Sequence, residues 1–243
     1  MVKIVIKKKI NLTGYTLIEG FSGVGLVGTI SSQYMLNKLS FERIGYIYDE
    51  SLPPIAVLNK GEILHPIRLY VNKSKKIIII TSELPIGVNL AKKIASELSE
   101  WSKKNKLKQI ISLEGVASLK GKDPKLFYVS NNKNLSNKVE KLGAIKLIDG
   151  FILGVSGELL LECIDDNIPI ISLMVESYAN LPDGIAAAKL LDMLNKLLGL
   201  NINVKPLINE AETFEKQIKN IISQFSKLKQ NQNEDKNRDL MYG

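Results

Sequence analysis

The sequence carries a single cysteine, Cys163, a single histidine, His65, and only three arginines, Arg43, Arg68 and Arg238. One thiol excludes an internal disulfide and cannot by itself build a thiolate metal site. One imidazole leaves a Ser-His-Asp arrangement a single candidate base, and His65 stands next to Pro66 in a turn-rich stretch, where a structural role is expected. Scarce arginine and 6% aromatic content argue against nucleic acid as a partner, because base readout and stacking draw on guanidinium groups and rings. The net charge of +8 then belongs to lysine-rich, solvated loops such as Lys73-Ser74-Lys75-Lys76 and Lys103-Lys104-Asn105-Lys106. No apolar run approaches the ~20 residues that span a bilayer, so no membrane partner is expected. The opening stretch from Met1 to Lys9 is basic but lacks the apolar segment and small-residue cleavage site of a secretory signal, and the expected location is the cytoplasm.

What is present is an alternation of strand-like and helix-like segments. An apolar content of 45% over 243 residues is enough for one large core, or one core with an appendage. Tyr15 to Ile18, Arg43 to Tyr48, Lys76 to Thr81, Gln109 to Leu113, Leu126 to Ser130, Phe151 to Val155 and Ile168 to Val175 read as strands. The apolar run from Lys76 to Thr81 is continuous, as in strands buried on both faces of a parallel sheet. Helical patterns run through Tyr34 to Leu39, from Asn89 to about Lys104 with Trp101 packing from its end, from Leu135 to Lys141 closed by Gly143, and from Gly157 to Asp166. Ile55 to Leu58 and Ile63 to Val71, around Asn59-Lys60-Gly61, read as a hairpin. The pattern predicts an α/β core over residues 1–180, a three-layer sandwich with a mixed, mainly parallel sheet.

The stretch from Glu19 to Gly28 reads as a strand, a glycine-rich turn and the start of a helix. Gly23, Gly25 and Gly28 satisfy G-x-G-x-x-G, and Asp49 ends the next strand-like run, which invites a dinucleotide site. The surroundings do not fit that site. Gly20, Phe21 and Ser22 intervene before the first glycine of the motif, and the hairpin replaces the crossover helix that should follow Asp49. The alternative is that the glycines let the helix pack tightly on the sheet. Three strands end on a carboxylate, Glu83, Glu114 and Glu176, where open α/β sheets bind ligands. They are candidates for catalysis or metal binding, or simply acceptors of backbone N–H bonds in the loops above the sheet. Gly154-Val155-Ser156-Gly157-Glu158 resembles a nucleophile elbow but has Glu158 where G-x-S-x-G needs glycine.

Beyond residue 180 the alternation stops. Asp183 can cap a helix whose apolar stripe is Ala187, Leu190, Leu191, Leu194, Leu197 and Leu198, with Gly199 ending it. Pro206 is placed to open a second helix. In it Leu207, Ala211, Phe214, Ile218, Ile221, Phe225 and Leu228 recur at spacings of three and four, a heptad seam that needs a partner. That partner is either the preceding helix of the same chain or another subunit. Residues 181–229 thus form a helical pair with a candidate oligomer seam at Leu207, Phe214, Ile218, Ile221, Phe225 and Leu228. From Gln230 to Asp239 there is no apolar residue, which predicts a disordered tether. It ends in Leu240-Met241-Tyr242-Gly243, apolar residues at the tip, as a docking peptide requires.

Together the turn Gly20 to Gly28, Ser82-Glu83-Leu84-Pro85, Leu113-Glu114-Gly115, Gly154-Val155-Ser156-Gly157 and Leu181-Pro182-Asp183 with its alanine- and leucine-rich helix resemble the proteasome assembly chaperone 2 family in its archaeal form. The resemblance runs to about residue 229. It implies a phosphorylase-like α/β core used as a scaffold, a homo-oligomer, no catalysis and no cofactor. Family members that bind the proteasome end in a hydrophobic-tyrosine-any motif, which Met241-Tyr242-Gly243 matches. The expected function is an ATP-independent assembly chaperone or activator that binds α subunits of the core particle through this tail. The expected oligomer is a tetramer. The alternative is a dinucleotide-binding or hydrolytic enzyme using the glycine turn and the strand-end glutamates.

Overall fold

The computed structural model describes residues 1–59, 61–82, 84–118, 123–179 and 181–211. In chain order the elements are β1 (Lys3–Ile6), β2 (Thr16–Gly20), α1 (Val27–Lys38), β3 (Glu42–Tyr48), β4 (Val57–Asn59), β5 (Glu62–Leu64), β6 (Ile67–Asn72), β7 (Ile77–Ser82) and α2 (Val88–Lys104). They continue with β8 (Gln109–Ala117), β9 (Leu126–Ser130), α3 (Lys133–Lys141), β10 (Ile145–Lys146), α4 (Gly154–Asp165), β11 (Ile170–Ser177) and α5 (Gly184–Leu198). Residues 205–211 are helical, so Pro206 sits in a first turn, where its missing N–H costs nothing.

Nine strands form one sheet in the order β1-β3-β6-β7-β2-β8-β11-β9-β10, and β4 with β5 makes a separate hairpin. The central strands β7, β2, β8 and β11 are parallel; toward one flank β6, β3 and β1 alternate antiparallel, and toward the other β9 runs antiparallel to β11 with β10 parallel to β9. Continuous apolar runs produce that centre because both faces are covered. Ile77 and Ile79 of β7 face the side of α1, α3 and α5, whereas Ile78 and Ile80 face the side of α2 and α4. Each such fully buried side chain contributes about 1.5–3 kcal/mol of burial. The result is a three-layer α/β sandwich with a mixed, mainly parallel sheet.

Capping residues mark both ends of α5. The Asp183 carboxylate accepts the Ala186 N–H at 2.9 Å at the start of α5, and Gly199 ends it at φ 63°. The apolar stripe of α5, including Leu190, Leu191 and Leu194, is buried in the core beside α1. Two differences from the sequence reading stand out. Phe151 to Val155, expected as a strand, is a loop that enters α4 at Gly154, and Phe151 is 94% exposed. An apolar run without sheet neighbours has no ladder to join. The hairpin is also shorter than its apolar run, because β6 leaves it after Pro66 to pair with β3 and β7.

Candidate functional site

The glycine-rich turn delivers the chain from β2 onto α1 at close quarters. A Cβ on Gly28 would lie 2.5 Å from the Leu113 carbonyl oxygen, so only glycine lets α1 settle this tightly on β8. Gly25 adopts φ 63°, and a side chain there would run into Ser177 Oγ at 1.8 Å. These two glycines serve the close packing of the turn and α1 on the sheet. Asp49 also lies elsewhere: β6 and β7 stand between β2 and β3, which places it three strand spacings, ~14 Å, to the side. There its carboxylate accepts from the Ser51 hydroxyl and the Ser51 N–H, which hold its pKa down to about 2.

The strand ends hold a different arrangement. Glu19, on β2, is fully buried and points to the side of the sheet covered by α4. Its Oε1 accepts the Phe21 N–H at 3.0 Å, and its Oε2 lies 2.6 Å from Ser112 Oγ and 2.9 Å from Ser156 Oγ. The two hydroxyls are 2.7 Å apart, and Ser156 also makes a short hydrogen bond to Glu114 Oε1. Ser156 is in the first turn of α4, so this helix ties two carboxyl groups at the sheet to one hydroxyl.

Hydrogen counting defines the charge state of this cluster. Four oxygen–oxygen contacts join Ser112, Ser156, Glu19 and Glu114, and the two hydroxyls supply one hydrogen each. A proton on Glu114, donated to Ser156, supplies a third. Burial and then the neighbouring Glu19 charge push Glu114 up to about 8, against the pull of its bonds to Ser156 and Gly115. Burial raises Glu19 as well, and its bonds from Ser112, Phe21 and Ser156 oppose the rise. Like charges this close do not both ionise, so near neutral pH the pair holds at least one proton.

Of the strand-end glutamates singled out in the sequence, Glu114 belongs to this cluster. Glu176 does not: it accepts the Lys125 N–H at 2.9 Å, as an ordinary loop acceptor does. Glu83 lies outside the described residues. Glu19 and Ser112 were missed, because β2 was taken to end at Ile18 when it runs to Gly20; extending the strand-end rule by one residue would have found Glu19. Ser156 is no exposed nucleophile, since it is fully buried and bonded to carboxyl groups. His65 stacks on Tyr46 with ring centroids 3.5 Å apart and lines other clefts, its pKa lowered by burial and by Lys7 and Arg43. Cys163 is buried, with its thiol pushed up to about 12.

Of the seam, Leu207 is buried in the core and packs near Gly184 of its own chain. Phe214, Ile218, Ile221, Phe225 and Leu228, together with Met241, Tyr242 and Gly243, lie outside the described residues. One surface is conspicuous. The outer side of α4 and the loop before it expose Ile148, Phe151, Leu153, Leu161 and Ile164, joined by Val88 at the start of α2. A groove of about 580 Å³ runs along most of these residues; its charged lining residues are the acids Asp149 and Glu158. No helix among the described residues is long and apolar enough to cross a membrane.

Fold and site together define an α/β sandwich organised on a glycine-rich strand-turn-helix unit, with a hydrogen-bonded acid pair at the carboxyl ends of its strands. The chain belongs to the PAC2 family, whose model matches residues 17–222. It is 31% identical over 227 residues to an uncharacterized protein of Methanocaldococcus jannaschii, covering 93% of each chain. Its structure is similar to that of Pyrococcus furiosus PbaA, an archaeal homologue of proteasome-assembly chaperone, with a TM-score of 0.83 and 30% identity over 100% of this chain and 99% of that one. Pyrococcus furiosus PbaB, an archaeal proteasome activator, shares the fold at a TM-score of 0.77 and 20% identity, over 90% of this chain and 98% of that one.

Proposed function

We propose that this protein is an ATP-independent proteasome assembly chaperone or activator, not an enzyme, and that it binds α subunits of the core particle through its last residues. The observation that carries the reading is the order Met241-Tyr242-Gly243 after a stretch, Gln230 to Asp239, without an apolar residue. The similarity to PbaA over the whole chain supports it. Fully extended, residues 230–243 reach about 45–50 Å, enough for the tip to leave the body and enter a pocket on a partner. In such a pocket the Gly243 carboxylate pairs with a lysine, the Tyr242 ring packs with its hydroxyl bonded, and Met241 fills an apolar niche. Three residues bind weakly alone. Several tails on one oligomer, engaging one ring together, raise avidity by ~10²–10⁴.

The oligomer in this proposal is a homo-oligomer, a tetramer, in which Phe214, Ile218, Ile221, Phe225 and Leu228 pair between copies. The exposed face of α4 supports association with a second copy as well: an apolar groove whose charged lining, among the described residues, is acidic suits the surface of a chain with net charge +8. The test of tail binding is co-purification of core-particle α subunits with wild-type protein, with Tyr242→Ala, and with one residue added after Gly243. Both variants are expected to lose most α-ring binding while keeping fold and sedimentation. Binding near wild-type strength in both would place the contact on the body and refute the tail.

A further inference from the structure

Above Glu19 and Glu114 lies a cavity of about 350 Å³, closed on one side by the glycine-rich turn and on the other by the loop that enters α4. Its walls are apolar, formed by Phe21, Val24, Ile86, Phe151, Leu153 and Met174 among others. Among the described residues its charged lining is Glu19 and Glu114; the turn brings none, and α4 bonds both carboxyl groups through Ser156 while its Glu158 lines the neighbouring groove. An apolar slot with acids at its base favours a cation on an apolar stem, because the walls bury the stem and the base supplies the charge.

A second observation points the same way. Ser172 of β11 is the register partner of Ser112 and therefore shares its side of the sheet, as does Met174, which lines the cavity. It is fully buried, and its Oγ has no hydrogen-bonding partner among the described residues. Beside the cluster there is thus one more buried hydroxyl, on the cavity's side of the sheet, with acceptor sites open as well as a hydrogen of its own. An ammonium group brings three donors and no acceptor, which suits a site whose polar atoms are carboxyl and hydroxyl oxygens.

We propose that the cavity is a binding site for a primary ammonium group on an aliphatic stem, seated against Glu114. The exchange balances. The protonated amine enters, the Glu114 carboxyl releases its proton to solvent, and the buried cation and carboxylate form a neutral pair, so one proton leaves per ligand bound. Two sources share this chemistry, a free alkylamine and the side chain of a partner's lysine. The tail proposal is independent of this site, and neither depends on the other.

Titration calorimetry of the full chain with hexylamine, hexanol and N-acetyl-lysine methylamide tests the proposal. One saturable site for an amine is expected, with no binding of hexanol. Affinity should rise roughly fifty-fold from pH 6 to pH 8, as Glu114 with a pKa of about 8 gives up its proton more readily. Repeating the titration in buffers of different ionisation enthalpy should show release of about one proton at pH 7. Glu114→Gln should lower the affinity at least ~10-fold, whereas Glu176→Gln, outside the cavity, should not. Thermal unfolding of Glu114→Gln separates lost binding from lost fold. Tighter binding of hexylamine assigns a free amine, and tighter binding of the lysine derivative assigns a partner's side chain. No saturable binding of either at ~10 mM, equal binding of hexanol, or undiminished binding by a folded Glu114→Gln protein would overturn it.

Discussion

The two sides of α4 invert the usual distribution of polarity. Its inner first turn places Ser156 against two carboxyl groups, Glu19 fully buried and Glu114 mostly so, and its outer side leaves Leu161 and Ile164 exposed beside Phe151 and Leu153. Most folded chains bury aliphatic groups and leave acids in water. Here the inner side tolerates acids because hydroxyls and a retained proton satisfy them, and the outer side tolerates apolar exposure only at a cost that association removes. The inner side is therefore a matter of protonation, and the outer side a matter of contact with another surface.

Breaking the inner side should have the larger effect on stability. Ser156→Ala removes the hydroxyl that bridges Glu19 and Glu114, leaving buried acceptors unpaired, and should destabilise the fold by about 2 kcal/mol in chemical denaturation. Glu114→Gln should act through pH. In the native state Glu114 holds its proton to about 8, whereas the unfolded chain releases it near 4.5, so the native state binds more protons across that interval. Its contribution to stability is fully present below about 4.5 and is lost as pH rises through about 8. Wild-type stability should thus carry a downward slope between pH 5 and pH 8 that Glu114→Gln makes shallower, leaving the share of Glu19, and the variant should gain on the wild type most at pH 9. A slope that is unchanged in the variant would mean that Glu114 is ionised in the native state. The outer side should respond least in stability: Phe151→Glu with Leu161→Glu should shift unfolding by no more than ~0.5 kcal/mol each. The same double variant should sediment as smaller species than the wild type, and unchanged sedimentation would mean that this face is not a contact between copies.

Much of the sandwich was legible because burial on both faces leaves a local mark. Ile77 to Ile80, Ile110 to Leu113 and Ile170 to Val175 are runs that a sheet covered by two helical layers requires, and Asp183 and Gly199 mark the ends of α5 by chemistry that acts within one turn. Where that local mark was absent or misleading, the reading failed. Phe151 to Val155 has the composition of a buried strand, yet Phe151 and Leu153 are at the surface while Val155 is buried, and composition alone does not distinguish burial in a core from exposure on a contact face. Glu114 was visible as a strand end, but nothing near it in the chain shows that it belongs with Ser156.

By itself the sequence determined the central strands, most of the helices, the capping of α5 and the order of the terminal residues, since each depends on neighbours within a few positions. Tertiary structure alone decided the acid pair. Glu19 and Ser156 are 137 positions apart, and they meet only because β2 lies beside β8 and α4 crosses over both. The protonation of Glu114 follows from that meeting: a carboxyl group that would ionise in water near 4.5 is held to about 8 by burial and a second acid, and neither exists until the layers close.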